Sequence, residues 1–367
     1  MLGRTLNKYR LVRLLGEGGM GSVYEAHDVR SGARVAIKVL RPTEPAVAEA
    51  AQARFRIEAE VARTIDSPHI AAVFDTGTDP ETSAPFMVME RLVGEDLHEL
   101  LRRVGPVSPE VALRIGAQVC RGLVRAHEAG VIHRDIKPAN LFLSQLGNGD
   151  VTVKILDFGI AKFKASRDPR LPEQRQSFAG SLLGSLHYMS PEQARCERTL
   201  DERSDIWSLG IVLYRALTGH LPHQELRRVG ELILAISSEL PRPLQELAPW
   251  VPTEIATVVH AALQTNPERR FSSAAAMLDA IEALLPHGDE LDVSMLTSLD
   301  EGERDPVSPD VDMPTMQMVR RVRAEKPAAM LEPKRSSFPP TFGYDRPAVL
   351  PPAPRRPSFA PHMMATM

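Results

Sequence analysis

One motif pair constrains this chain more than any other feature. Residues 133–140 read His-Arg-Asp-Ile-Lys-Pro-Ala-Asn, and Asp157-Phe158-Gly159 begins seventeen positions after Asn140. Carboxylate and amide oxygens are the ligands that magnesium prefers, and a carboxylate can also accept the proton of an attacking hydroxyl. Transfer of a phosphoryl group needs mainly this positioning, together with positive charge over the phosphate oxygens. The pair therefore predicts a base, Asp135, and two metal ligands, Asn140 and Asp157.

A glycine-rich run at residues 16–23 reads Gly-Glu-Gly-Gly-Met-Gly-Ser-Val. Glycines suit a loop whose backbone amides approach phosphate groups, because a side chain would block that approach. The run alone could also be a flexible hairpin or a dinucleotide-binding fingerprint. That fingerprint requires a following helix, whereas residues 23–40 predict strand, turn and strand. The context therefore favours a phosphate-binding hairpin.

These motifs occur in the order and spacing of one family. Over roughly residues 9–285 the chain resembles the eukaryotic-like serine/threonine protein kinases of bacteria. The resemblance implies an α+β, two-lobed fold, with a β-rich N-lobe at about residues 9–90 and a helical C-lobe at about residues 93–285. It also implies transfer of the ATP γ-phosphate to protein serine or threonine hydroxyls in bacterial signalling. ATP and Mg²⁺ are the expected cofactors, with Mn²⁺ as an alternative ion.

Lys38 stands inside an otherwise apolar strand. An ammonium group is costly there unless it is paired or its head reaches water. The amphipathic residues 53–62 offer Glu58 and Glu60 as partners, but the two lie about 200° apart around a helix. By resemblance we favour Glu58, which matches the helix glutamate that holds the lysine against the α- and β-phosphates.

Residues 85–94 resemble the last N-lobe strand and the hinge between the lobes, although they also read as an ordinary buried strand. The resemblance places Met89 at the gatekeeper position and assigns adenine contacts to the backbone of Glu90 and Leu92. The implied ATP-binding residues are Gly16, Glu17, Gly18, Gly19, Met20, Gly21, Val23, Ala36, Lys38, Glu58, Met89, Glu90 and Leu92.

A long helix with one buried face is predicted before the catalytic motif. Ser108-Pro109-Glu110 combines an N-cap serine, proline at the first helical position and early negative charge. Apolar residues recur at helical spacing from Val111 to Val124, and Gly130 can end the helix. This helix delivers the chain to the catalytic loop.

By resemblance, three residues carry the chemistry of the catalytic loop: Asp135, Lys137 and Asn140. Lys137, two residues after Asp135, marks serine/threonine specificity, because its ammonium reaches the γ-phosphate beside a short hydroxyl acceptor. Ser185 keeps the hydroxyl that bridges Asp135 and Lys137.

The activation segment is expected to run from Asp157 to Glu192 and to end in Ser190-Pro191-Glu192. Glu192 would pair with Arg270 and anchor the segment to the C-lobe. Asp205 would brace the backbone of the catalytic loop, although a solvated aspartate at a helix start is the alternative.

Arg134 precedes Asp135 and is a candidate receptor for a phosphate in the activation segment. The candidate phosphosites are Ser166, Ser177 and Ser181, of which the last two lie closer to the substrate-binding end. We expect autophosphorylation between two copies of the chain at one or both of these serines, and a homodimer is implied only by the resemblance. The segment holds no threonine, so the switch could also be weak or absent.

Composition narrows the class of protein further. The net charge of −3 argues against nucleic acid as an obligate partner. Cys120 and Cys196 have no pattern of a metal site and predict reduced thiols. We expect no signal peptide and no membrane span, and therefore a cytoplasmic protein.

Residues 286–367 are rich in proline, lack periodicity and predict a disordered tail. The tail is either a solvated segment without a task or a regulatory segment, with Ser308, Ser336, Ser337 and Ser358 as phosphosites. Two alternatives to an active protein kinase are a pseudokinase scaffold and a small-molecule kinase. The presence of Lys38, Asp135, Asn140 and Asp157 weakens the first, and the Ser-Pro-Glu segment with Arg270 weakens the second.

Overall fold

The computed structural model describes residues 1–18, 21–41, 45–158, 184–300 and 302–304. All of them belong to one compact unit of the chain. Several predicted residues lie outside the described ranges: Gly19, Met20, Gly159, Ser166, Ser177, Ser181, Ser308, Ser336, Ser337 and Ser358.

The first lobe is built on an antiparallel sheet of six strands, in the order β1-β2-β3-β4-β6-β5. The strands are β1 (Thr5–Leu6), β2 (Tyr9–Glu17), β3 (Gly21–Asp28), β4 (Arg34–Leu40), β5 (Val73–Thr78) and β6 (Pro85–Glu90). Their β-branched and aromatic residues favour strands, and β4 is buried at every residue from Val35 to Leu40. At Gly21 a side chain has no room, because an added Cβ would lie 2.1 Å from the Val39 carbonyl oxygen. The glycine-rich hairpin therefore folds directly onto the strand that carries Lys38.

One helix, α1 (Pro45–Thr64), packs against this sheet. Its buried residues Phe55 and Ala59 contact Leu40 of β4 and Met87 of β6. Because side chains three or four residues apart share a helix face, this packing also turns Glu58 inward. Glu58 is buried and Glu60 is exposed, so Glu58 is the one of the two that lies beside Lys38.

The second lobe is helical. Its helices are α2 (Leu97–Val104), α3 (Pro109–Glu128), α4 (Pro191–Ala194), α5 (Arg203–Thr218), α6 (Val229–Ser238), α7 (Thr253–Ala262) and α8 (Ala274–Glu282). The predicted start of α3 is confirmed, since the Ser108 hydroxyl accepts a hydrogen bond from Val111 N and Pro109 is the first helical residue. Gly130, with a φ of 73°, follows the end of the helix. The expected β-rich first lobe and helical second lobe are thus both present.

A second sheet of four strands belongs to the helical lobe, in the order β10-β9-β8-β7. Its strands are β7 (Gly94–Asp96), β8 (Leu141–Gln145), β9 (Asp150–Ile155) and β10 (Leu291–Asp292). The β8–β9 hairpin links Asn140 to Leu156 and so spans the two predicted metal ligands.

Strand β10 corrects one expectation, because it lies in the predicted disordered tail. Leu291, Leu296 and Leu299 are buried, and Leu291 pairs with Val151 of β9. The expected start of the tail at residue 286 is therefore wrong for residues 288–299. These leucines are spaced by five and by three and match neither a helix nor a strand, so periodicity could not reveal them.

Both cysteines are free thiols, Cys120 buried in α3 and Cys196 exposed. Burial raises the pKa of the Cys120 thiol, which makes it unreactive near neutral pH. In the ranges that the structure describes, no helix has the length and apolar character to cross a bilayer.

Candidate active site

The catalytic loop brings Asp135, Lys137 and Asn140 into one cluster. Lys137 Nζ lies 3.0 Å from Asp135 Oδ2, and Asn140 Nδ2 donates to the same oxygen at 3.0 Å. Asn140 Nδ2 also donates to the Asp135 carbonyl oxygen at 2.8 Å, which fixes the turn between the two residues. Lys137 Nζ further donates to the Ser185 hydroxyl at 3.4 Å. A carboxylate held beside an ammonium and an amide is fixed in orientation and can accept a proton.

The backbone of this loop is strained and braced. Arg134 adopts a φ of 66°, a conformation that is uncommon for residues other than glycine. Asp205, whose side chain is fully buried, accepts hydrogen bonds from His133 N at 2.8 Å and Arg134 N at 2.7 Å. His127 Nε2 lies 2.9 Å from the same carboxylate. Asp205 is therefore not a solvated residue at a helix start, which was the alternative.

Gln193 also holds the catalytic loop in place, and the sequence motifs did not predict this role. Its Nε2 donates to the Arg134 carbonyl oxygen at 3.1 Å, and its Oε1 accepts from Ser190 N at 3.0 Å. The end of the activation segment is thus bonded directly to the strained catalytic loop. The only sequence signal was a glutamine directly after Ser190-Pro191-Glu192.

Asp157 is held close to the catalytic loop. The preceding residue, Leu156, donates its N–H to the Asn140 carbonyl oxygen at 2.8 Å, and its carbonyl oxygen lies 2.9 Å from His133 Nε2. Phe158 is buried, with its ring centroid 4.9 Å from that of His133. Burial lowers the pKa of His133, which keeps its imidazole neutral.

Lys38 meets two carboxylates, one from each lobe. Its Nζ lies 2.7 Å from Asp157 Oδ1 and 3.8 Å from Glu58 Oε1. Burial works to lower the pKa of the Lys38 ammonium, but the charges of Asp157 and Glu58 outweigh it, so the pKa is raised. Lys38 therefore stays charged at neutral pH, as a group that binds phosphate must.

The donor set suits a hard divalent cation. Asn140 uses its amide nitrogen in both hydrogen bonds to Asp135, so its amide oxygen is the atom suited to a metal. Asp157 presents a carboxylate that is 44% exposed, of which one oxygen contacts Lys38. The backbone bond between Asn140 and Leu156 places these oxygens on adjoining segments. Two protein oxygens, completed by phosphate oxygens and water, fit a magnesium site.

Several residues expected around the nucleotide lie on strands next to Lys38. Gly18 and Gly21 close the hairpin through mutual backbone hydrogen bonds of 2.9 and 3.3 Å. Ala36 pairs with Met89 across β4 and β6, and Val23 pairs with Lys38 across β3 and β4. Glu90 N donates to the Ala72 carbonyl oxygen at 2.9 Å, so the carbonyl of Glu90 is its backbone group suited to adenine.

Two ion pairs at the hinge were also missed. Glu90 Oε1 lies 2.6 Å from Lys154 Nζ, on the strand that leads to Asp157. Arg91 Nε lies 3.0 Å from Glu25 Oε1 on β3, and Arg13 reaches the other oxygen of Glu25 at 2.8 Å. Hydrogen bonds from Arg13 lower the pKa of Glu25. The hinge is therefore tied to both lobes by side chains.

The end of the activation segment is anchored by the expected pair. Arg270 Nη1 and Nη2 donate to the two oxygens of Glu192, each at 2.7 Å, and the Ser204 hydroxyl donates to Glu192 at 2.9 Å. Burial would raise the pKa of Glu192, but the hydrogen bonds from Arg270 lower it. The guanidinium also lies over the Trp207 ring, 5.1 Å from its centroid.

Comparison with known proteins agrees with this geometry. The protein kinase domain family matches residues 9–281. The serine/threonine-protein kinase pkn3 of Myxococcus xanthus is 39% identical over 285 residues, which cover 77% of this chain and 51% of that protein. The serine/threonine-protein kinase PknB of Mycolicibacterium smegmatis is 38% identical over 277 residues, which cover 74% of this chain and 42% of that protein. The chain therefore spans about half the length of these relatives, or less.

A solved structure shows the same architecture. The kinase domain of Mycobacterium tuberculosis PknI matches with a TM-score of 0.57 at 27% identity, over 77% of this chain and 98% of that one. The family match includes the whole cluster from Lys38 to Arg270. The chain belongs to the protein kinase domain family.

Proposed function

We propose that this chain transfers the γ-phosphate of ATP to serine or threonine hydroxyls of proteins. The observation that carries the proposal is that two clusters lie on adjoining segments, which the backbone hydrogen bond from Leu156 to Asn140 holds together. Asp135, Lys137 and Asn140 form the first, and Lys38 with Asp157 forms the second. The relatives named serine/threonine-protein kinase support the same activity.

In the proposed reaction, Asp135 orients the acceptor hydroxyl and accepts its proton. The acceptor oxygen forms a bond to the γ-phosphorus while the bond from that phosphorus to the bridging oxygen of ADP breaks. Lys137 lies beside Asp135 and neutralises charge on the γ-phosphate. Lys38, charged and buried, neutralises the α- and β-phosphates and is held by Glu58.

Asn140 and Asp157 are the proposed metal ligands. When bound there, magnesium would neutralise charge on the phosphates, and manganese is a chemically similar substitute. Lys38 Nζ lies 2.7 Å from Asp157 Oδ1, so the two groups that we propose for the phosphates and the metal lie side by side. We expect the phosphates to lie against Lys38 and close to the two proposed ligands.

For the adenine, we propose the backbone of Glu90 and Leu92 as hydrogen-bonding groups and Met89 as the gatekeeper. Val23 and Ala36, whose side chains share the sheet face of Lys38, would cover one face of the base. The ion pairs from Glu90 to Lys154 and from Arg91 to Glu25 support this assignment, because they hold the hinge against both lobes.

We further propose autophosphorylation between two copies of the chain in the activation segment. Ser177 and Ser181 are the favoured acceptors, ahead of Ser166, and Arg134 is the proposed phosphate receptor. Arg134 stands in the catalytic loop next to Asp135, so an added phosphate would act at the site of chemistry.

The test is transfer from γ-labelled ATP to a mixed library of serine, threonine and tyrosine peptides in the presence of Mg²⁺. We expect label on serine and threonine, dependent on the metal. The variant Lys38→Met, which keeps the size of the side chain without its charge, should abolish transfer. Transfer mainly to tyrosine, or full activity of Lys38→Met, would overturn the proposal.

A further inference from the structure

Residues 288–299 form a strap that follows α8 and runs back over α3 and β9. This strap lies beyond residue 281, where the match to the kinase family ends. Leu291 and Leu296 are only 2% and 3% exposed and belong to the core of the helical lobe. The strap is therefore an integral part of the fold in this chain.

Two buried polar side chains of α3 donate hydrogen bonds to the backbone of the strap. Arg114 donates to the Glu290 carbonyl oxygen, and Gln118 Nε2 donates to the Asp289 carbonyl oxygen at 2.8 Å. Both side chains belong to residues that are at most 6% exposed. A buried guanidinium or amide is costly without hydrogen-bond partners. Detaching the strap would break both hydrogen bonds and remove an acceptor from each buried group.

The same glutamine joins the strap to β9. Gln118 Oε1 accepts a hydrogen bond from Val153 N at 2.8 Å, while its Nε2 holds the strap. Two residues earlier, Val151 pairs directly with Leu291, and Val293 N donates to the Gly149 carbonyl oxygen at 3.1 Å. The first half of the outer edge of β9 is thus satisfied by the strap and by Gln118.

The second half of that edge is satisfied by the loop that follows α1. The Val153 carbonyl oxygen lies 3.2 Å from His69 Nδ1, and Ile155 N donates to the His69 carbonyl oxygen at 2.8 Å. Ala71 N then donates to the Ile155 carbonyl oxygen at 3.0 Å. This loop is the connection from α1, which bears Glu58, to β5.

The packing behind this edge leaves little room for movement. A Cβ added to Gly122 of α3 would lie 2.7 Å from Ile155 Cδ1 and 3.0 Å from the His69 carbonyl oxygen. A closely packed interior transmits displacement instead of absorbing it. Strand β9 continues through Leu156 into Asp157, so a shift of β9 reaches both the metal ligand and the loop behind Glu58.

We propose that the strap positions Asp157 and α1 for phosphate transfer, with Gln118 as the positioning residue that couples the strap to β9. The proposal rests on the proposed function for its catalytic consequence. In structural terms, it predicts that release of the strap loosens β9 and the loop at residues 66–71 together.

The test compares the double variant Leu291→Ala/Leu296→Ala with the control Met295→Ala. Met295 lies in the same strap but is 38% exposed, so its truncation should leave the strap in place. Amide hydrogen exchange is measured in β9 and in residues 66–71. We expect exchange at least about tenfold faster in the double variant and unchanged exchange in the control.

The kinetic arm measures the Mg²⁺ concentration for half-maximal autophosphorylation and the KM of an acceptor peptide. We expect the Mg²⁺ requirement to rise by about fivefold in the double variant, with the peptide KM unchanged. A general loss of folded protein would lower kcat but would leave both the Mg²⁺ requirement and the peptide KM unchanged. Faster exchange in the strap alone, with residues 66–71 and the Mg²⁺ requirement within about twofold of wild type, would overturn the proposal.

Two further measurements keep the outcome decisive. If the double variant does not fold, Asp289→Ala removes the 2.9 Å contact to Arg121 at the rim of the strap and should give smaller changes in the same direction. If the wild-type protein transfers no phosphate, the proposed function fails, but hydrogen exchange and the thermal shift by Mg²⁺ with ATP still test the strap. An unchanged thermal shift and unchanged exchange at residues 66–71 would then refute it.

Discussion

Replacing Glu192 by glutamine removes one charge from an ion pair that is almost completely excluded from water. The side chains of Glu192 and Arg270 are 4% and 0% exposed, and two hydrogen bonds of 2.7 Å join them. Breaking a buried ion pair by removing one partner costs about 3–5 kcal/mol, because the other charge stays buried without compensation. The structure therefore predicts a large loss of stability from Glu192→Gln, although this change only replaces one oxygen by an NH₂ group.

The surroundings of Arg270 place the expected cost at the lower end of that range. Its guanidinium keeps hydrogen bonds to the carbonyl oxygens of Gln264 at 2.7 Å and Arg203 at 2.9 Å. These acceptors limit the loss to about 3 kcal/mol. At about 2–4 °C per kcal/mol, the midpoint of thermal unfolding should fall by roughly 6–12 °C.

The assay is urea unfolding of wild type, Glu192→Gln, Arg270→Met and the double variant. Removing both charges leaves no buried charge uncompensated, so the double variant should lose clearly less stability than the sum of the two single losses. A loss below about 1 kcal/mol in Glu192→Gln, or strictly additive losses, would refute the reasoning.

The pH dependence of the stability tests the same ion pair independently. Arg270 lowers the pKa of Glu192 below its ordinary value of 4.5. A carboxylate whose pKa is lowered on folding contributes stability above its unfolded pKa and loses it as the pH falls through the folded pKa. The difference in stability between wild type and Glu192→Gln should therefore be constant near neutral pH and shrink below about pH 4.5. A difference that grows on acidification would contradict the assignment.

Three further predictions concern catalysis. Glu58→Gln should lower kcat/KM for ATP by at least about tenfold, because it weakens the ion pair with Lys38. Glu60→Gln, a change at an exposed residue of the same helix, should have no effect. Equal effects of the two variants would exclude a catalytic role for the Lys38–Glu58 pair. Gln193→Ala should lower kcat about three- to tenfold with the KM for ATP unchanged, since it frees the Arg134 carbonyl but touches no nucleotide contact. Lys154→Met should raise the KM for ATP by about threefold through the hinge residue Glu90, and an unchanged KM in titrations of initial rate would count against that link.

Sequence patterns predicted the features that depend on neighbouring residues. The strands around the glycine-rich run, the capped start of α3 and the loop from Asp135 to Asn140 all follow from short local motifs. The choice between Glu58 and Glu60 was close to predictable, because their separation around a helix meant that only one could face inward. Packing of Phe55 and Ala59 against the sheet then decided which one.

Contacts between distant segments could not be predicted in this way. Gln193 with Arg134 and Glu25 with Arg91 are pairs of ordinary polar residues that become informative only once the fold places them together. The strap is the clearest case, since its leucines have no regular spacing and its hydrogen bonds use mostly backbone atoms. A sequence pattern records side chains, so a segment held by its backbone leaves almost no signal.

The most direct test of the central claim is autophosphorylation of the purified protein with labelled ATP and Mg²⁺, beside Asp135→Asn, followed by mapping of the labelled residues. Asparagine keeps the shape of the side chain and its contact to Lys137 but cannot accept the proton. The account predicts label in wild type alone, on serine or threonine, with ATP binding retained in both proteins. Equal labelling of Asp135→Asn, or no labelling of a wild-type protein that binds ATP, would contradict it.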